Sequence, residues 1–149
     1  MHHVELDQSG RTEKLNQPSV LGFTDGIASS ILITAKEKRR LYAVLKARYR
    51  KLHLVHIRVF VAAVFVLIQD DLTRITTLTI DREFDGHEAN IKAQLLRLIR
   101  TIAPDFPAEA IVIQSIGKKS LAHDLVHKVF LKKQPPHRVV NANHLLPLI

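Results

Sequence analysis

The amino-acid sequence predicts an α/β fold: a mixed five-stranded sheet, three antiparallel strands followed by two parallel ones, flanked by helices. Three observations lead there. Asp25-Gly26 separates two apolar runs, residues 19–24 and 28–34, and such a dipeptide between apolar runs marks a tight hairpin. From residue 34 onward, helix-length segments alternate with the β-branched runs 74–80 and 110–116, a pattern that favours right-handed parallel crossovers. A chain of 149 residues is one domain long and can bury about 68–70% of its unfolded surface.

Residues 4–7 read as a first strand, apolar at Val4 and Leu6, and Gln8 to Arg11 as the loop or turn after it. The runs 19–24 and 28–34 form the predicted hairpin. Thr34 is a candidate N-cap, and Glu37 three residues later gives capping-box spacing for a helix to about Lys51, with Leu41, Val44 and Leu45 on its buried side. Residues 54–69 are too uniformly apolar for periodicity to separate helix from strand. Their length favours a buried helix, and their Val and Phe content favours a strand. Residues 74–80 form the fourth strand. A helix follows from about Gly86 to Ile102, with Ile91, Leu95, Leu98 and Ile102 on one face, and Pro104 and Pro107 stop it. Residues 110–116 form a fifth strand, and residues 121–132 a last helix. Pro135-Pro136 ends regular structure, which delimits a single domain, 1–134. The tail, 135–149, is apolar enough to dock on the body or on a second copy.

Composition excludes several functions. No cysteine is present, so disulfides, thiolate catalysis and cysteine-ligated zinc are ruled out. The apolar stretch 54–68 falls short of the ~20 residues that span a bilayer and carries His56 and Arg58, so no membrane role is expected. The segment extends the core or forms a homodimer interface. MHHVELDQSG has neither an apolar signal core nor an Arg-rich amphipathic pattern, and a cytoplasmic location is expected.

Charge points to a partner. The formal net charge is +8, with 22 basic and 14 acidic residues. Lys36, Lys38, Arg39, Arg40, Lys46, Arg48, Arg50 and Lys51 face a single acid, Glu37, and from Lys118 onward six basic residues face only Asp124. Runs of this kind suit nucleic acid, since each phosphate neutralised releases counterions. With two tyrosines, six phenylalanines and no tryptophan, stacking on single strands is poorly supplied. Binding through the backbone of a duplex, hybrid or junction is therefore expected, whether DNA or RNA.

Against that positive background, Asp81, Glu83, Asp85 and Glu88 crowd into eight residues after the fourth strand. Acids before a helix also serve as caps and favour its positive end. The alternative is a site for a hard cation, Mg²⁺ or Mn²⁺, which takes carboxylate oxygens from rigid elements. Asp81 and Glu83 alternate along an extended chain, so one of them is expected to face a site, Asp81 first, unless the strand has ended.

The order of elements and the placing of the acids resemble the ribonuclease H-like superfamily, shared by RNase H, Holliday-junction resolvases, transposases and retroviral integrases. Asp7 in VELDQSG matches the acid of that family's first strand, Asp81 or Glu83 in TIDREF the acid ending its fourth, and His123 or Asp124 in AHDLVHKV the carboxylate or histidine of its last helix. Glu37 lies where the family carries an acid on its first helix. The resemblance implies a metal-dependent nuclease hydrolysing phosphodiester bonds. Asp7, Asp81, Glu83 and Asp124 are its metal ligands, His123 joins them in catalysis, and Arg11, Lys118 and Lys119 contact phosphate. The alternative is a non-catalytic nucleic-acid-binding or assembly module of the same fold.

Two other motifs carry less. HDLVH, residues 123–127, spaces two histidines one helical turn apart but has Asp where the zinc-protease pattern needs Glu. IGKKS, residues 116–120, resembles the end of a phosphate-binding loop, yet Val112 stands where its first glycine belongs.

Overall fold

The computed structural model describes residues 1–149. The strand β1 (His2–Ser9) is its hub. β2 (Ser19–Asp25) pairs antiparallel on one side of β1 and β4 (Ile75–Asp81) parallel on the other. β3 (Ile27–Ile33) closes the hairpin with β2, and Gly26, at a φ of 78°, takes the left-handed turn position that the Asp-Gly signal requires. β5 (Ile111–Gln114) adds parallel to β4, giving the three antiparallel and two parallel strands expected. A sixth strand corrects the five-stranded reading. β6 (Arg138–Val139) pairs parallel with β3, and the sheet order is β5-β4-β1-β2-β3-β6.

Helices cover both faces. α1 (Ala35–Arg48), α2 (Leu52–Ile68) and α3 (Glu88–Ile99) pack with the main apolar core on one side, where Val4, Leu6, Leu21, Phe23, Leu78 and Ile80 point. α4 (Leu121–Phe130) lies on the other, where Val20 meets Leu125, Val126 and Val129. Residues 54–68 are thus helical, and the helix is separate from α1. Twelve of the 17 residues of α2 are buried, including all from Val59 to Ile68, which marks it as the core helix of the domain although its length and composition would pass for a membrane span. α3 ends earlier than expected, so Ile99 takes the buried position and Ile102 is 54% exposed.

Thr34 caps α1, its Oγ1 accepting from Glu37 N at 3.2 Å. Glu37 does not complete the box. Its carboxylate accepts instead from Arg40 and, at 3.0 Å, from the backbone N–H of Ala142. The same carboxylate therefore ties down the tail, which does not lose regular structure after Pro135-Pro136. The tail contributes β6 and the one-turn helix α5 (Ala142–Leu145), and Val140, Ala142 and Leu145 are buried against the body. This use takes Glu37 out of the acids available to a site.

Candidate functional site

The register of β1 and β4 builds the site. Leu6 pairs with Ile80, both facing the main core, so the next residues, Asp7 and Asp81, emerge side by side on the opposite face at the carboxyl ends of two parallel strands. The chain leaves β1 towards β2 and β4 towards β5, in opposite directions. Such a divergence leaves a crevice above the strand ends, the usual place for a ligand in open α/β sheets. β4 ends at Asp81, and the irregular chain beyond it brings Glu83 back to the same point. Both acids therefore join the cluster. Asp7, Asp81 and Glu83 each place a carboxylate oxygen within 4.8 Å of the other two.

Two of the three carboxylates, Asp7 and Asp81, have a defined hydrogen-bonded support. Asp7 is 5% exposed, and its Oδ1 accepts from Gln8 N at 2.7 Å, while Oδ2 faces His123 Nδ1 at 3.1 Å. With Asp7 ionised, that contact places the histidine proton on Nδ1 and leaves Nε2 free. Asp81 Oδ1 accepts from Ile116 N at 2.9 Å. Burial raises the pKa of Asp7 above its ordinary value, and the hydrogen bonds from Gln8 and His123 only partly offset this. Glu83 is pushed up to about 7, first by burial and then by the negative charges of Asp81 and Asp7, with Arg11 pulling the other way.

His123 reaches Asp7 because α4 sits close to the sheet. Its N-cap Ser120 accepts from Ala122 N and donates to Glu5 Oε1 at 3.1 Å, two residues before Asp7 on β1. Gly22, the register partner of Asp7, lies beneath the helix; a Cβ there would stand 2.9 Å from Val126 Cγ1. The absence of a side chain at residue 22 sets how near α4 can come.

A cleft of about 330 Å³ opens over these groups, with Asp7, Gln8, Asp81, Arg82, Glu83, Ser115, Gly117, Lys118 and His123 around it and no apolar residue among them. Such a lining suits a charged or hydrated ligand and not an apolar one. Lys118 stands in the cleft as expected, and Lys119 lies outside its lining. Arg11 pairs through Nε with Glu13 at 2.6 Å and lays its guanidinium 4.9 Å over the Phe84 ring, next to Glu83. Asp124 turns to Lys128 at 2.9 Å and is 57% exposed, so it does not join the carboxylates. Asp85 is exposed, and Glu88 pairs with Arg82 at 3.3 Å. The N-cap of α3 is His87, which makes no capping hydrogen bond, so neither Asp81 nor Glu83 serves as its cap.

Gln8 is the residue that sequence reasoning missed. It is part of β1, not of the turn, and it is 8% exposed with both side-chain polar atoms buried, making no well-formed hydrogen bond but lying close enough to Glu83 to lower its pKa. Its signal was the alternation Val4, Leu6, Gln8, which continues the inward-facing row of β1. A buried amide beside Glu83 belongs to the polar lining of the cleft.

Comparison with protein-family models, curated proteins and solved structures gives no match to this chain.

Lys38 changes the reading of the basic run. It is 1% exposed, and its Nζ donates to the backbone carbonyls of Arg11 and Lys14 and, at 2.8 Å, to Ser19 Oγ. Burial lowers its pKa to about 8. It fixes the loop between β1 and β2 rather than offering charge to a partner.

Proposed function

We propose that the chain is a metal-dependent nuclease of RNase H-like fold that hydrolyses a phosphodiester bond of structured nucleic acid. The observation that carries this reading is the convergence of Asp7, Asp81 and Glu83, oxygens within 4.8 Å, in a wholly polar cleft of a chain whose net charge is +8. Support also comes from the arrangement expected of that superfamily: three antiparallel strands then two parallel ones, with acids on β1 and at the end of β4 and a histidine on the last long helix.

The donor set fits a hard divalent cation. It offers only oxygen and imidazole nitrogen, and two of the carboxylates, Asp7 and Asp81, stand on strands and are held by backbone N–H groups. Mg²⁺ or Mn²⁺, when bound there, would supply Lewis acidity towards a phosphoryl oxygen and a more acidic water. The chain's own residues do the rest. Asp7 and Asp81 present carboxylate oxygens of fixed direction. Glu83, its carboxyl pushed up to about 7 by burial and the neighbouring anions, would have to release a proton to hold such a cation. His123 holds Asp7 in orientation, and Lys118 offers positive charge to a neighbouring phosphate.

The test is cleavage of labelled duplex DNA, RNA–DNA hybrid and four-way junction with Mg²⁺, Mn²⁺ or EDTA, by the wild type and by Asp81→Asn. Cation-dependent cutting lost in the variant is the expected result. Salt-sensitive binding without cutting by the wild type would replace this reading with a non-catalytic binding module.

A further inference from the structure

The fold divides the cations of residues 36–51 into two groups. Lys38 is buried, Arg39 donates to the Leu15 carbonyl at 3.0 Å, and Arg40 is paired with Glu37. Of the five that remain, Lys36 is exposed at the start of α1, and Lys46, Arg48, Arg50 and Lys51 are exposed at the corner where α1 ends and α2 begins. None of the four forms an ion pair. The chain offers no carboxylate between Glu37 and Asp70 to provide one.

Three of these cations surround a concavity of about 400 Å³, with Tyr49 and Leu52 in its wall. Tyr49 is fixed from both sides. Its hydroxyl donates to the Ile149 carbonyl at 3.4 Å, and the Arg58 guanidinium lies 5.5 Å over its ring. No side-chain carboxylate pairs with these corner cations. Lys46 and Arg48 suit the negative end of α1, but Arg50 and Lys51 stand at the positive end of α2, whose first turn has no acid and whose cap residue makes no side-chain bond. Cations at that end repel the helix dipole and one another. A bound polyanion relieves both repulsions.

We propose that this α1–α2 corner is a second phosphate-binding surface, distinct from the carboxylate cleft, that holds the sugar–phosphate backbone of a nucleic-acid duplex. The choice of nucleic acid as the polyanion rests on the function proposed above. A lipid surface fits less well, because membrane-lying helices insert an apolar face. Here the apolar residues of α2 are buried in the core, and only Leu54, 41% exposed, stands out beside the cations.

The experiment is equilibrium binding of a short labelled DNA duplex in EDTA over a series of KCl concentrations. Arg48→Glu/Arg50→Glu is compared with Lys92→Glu/Arg97→Glu on α3, which changes net charge equally on another element. The corner variant is expected to bind about tenfold more weakly, with a log–log salt slope shallower by about 2, and the α3 variant to change affinity by about twofold. Equal losses in both variants, or no loss in the corner variant, would overturn the proposal. So would binding of phosphatidylglycerol vesicles that depends on the corner when duplex binding does not. The two readings fail separately. Cation-dependent cutting with corner-independent binding sinks this inference alone, and corner-dependent binding without cutting sinks the nuclease alone.

Discussion

Ile116 N donates to Asp81 Oδ1 at 2.9 Å, joining the end of β4 to the chain that leaves β5. The bond holds one oxygen of Asp81, and the carboxylate keeps a second for its neighbours. Asparagine in its place retains an acceptor for Ile116 N and removes the charge. Asp81→Asn is therefore expected to keep the fold and, in EDTA, to melt at the wild-type temperature or above it, since a repulsion among Asp7, Asp81 and Glu83 is gone. Its affinity for Mn²⁺ should fall on the order of a hundredfold or more, because even outer-shell changes cost 10–100-fold. Calorimetric titration with Mn²⁺ and thermal melting check the two halves. Unchanged Mn²⁺ binding would remove Asp81 from any cation site.

Glu83 gives the site a pH signature. Its folded pKa of about 7 lies above its ordinary value of 4.5, so between those values the folded chain holds a proton that the unfolded chain has lost. The stability this contributes is complete below about pH 4.5 and is lost as pH rises through 7. Denaturant melts in EDTA should decline over that window, and Glu83→Gln should flatten the decline. Cation affinity should run the other way and rise through pH 7, because the entering ion displaces the proton. A cation affinity that is flat from pH 6 to 8 would remove Glu83 from the ligand set.

Gly22 controls the reach of His123. The Cβ of alanine would stand 2.9 Å from Val126 Cγ1 and 3.2 Å from Leu125 Cδ2, both on α4, and the β-branched Val126 is fully buried and cannot swing aside. Gly22→Ala is expected to lift α4 from the sheet, cost about 1–3 kcal/mol of stability and lengthen the contact between His123 and Asp7. The imidazole resonances of His123 report the second effect. Loss of stability with an unaltered His123 titration would mean that the sheet, not the helix, gives way.

Much of this fold was legible because its signals are local. Asp25-Gly26 fixes the hairpin, Thr34 caps α1, and the run 75–80 reads as a strand without its partners. Asp81 stood out in the acidic run after the fourth strand, whereas Asp7, and His123 as an alternative to Asp124, were reached only through the family resemblance. What stayed hidden depends on tertiary partners. Lys38 reads as one more surface cation until the carbonyls of Arg11 and Lys14 fold over it. Asp124 and His123 are adjacent in sequence, and only the docking of α4 decides that the histidine meets Asp7 while the acid meets Lys128. β6 is two residues long, too short for any periodicity, and exists because β3 leaves an edge to be paired. Glu83 stood among the candidate ligands on the condition that the strand had ended, and the end of β4 at Asp81 meets that condition.

The tail supports the helical layer and not the cleft, which separates stability from function. Leu145 is fully buried, α5 packs on α1 and α2, and Glu37 holds the first N–H of α5 at 3.0 Å. These contacts lie on the face of the sheet opposite α4 and His123. Leu145→Ala is expected to cost about 2–5 kcal/mol through the cavity it leaves. Under conditions where the variant is folded, its Mn²⁺ affinity should match the wild type, because no carboxylate of the cluster depends on α5. Denaturant melts measure the first effect and calorimetric titration the second. A fall in cation affinity as large as that of Asp81→Asn would show that the two faces of the sheet are coupled, and would make the tail part of the site.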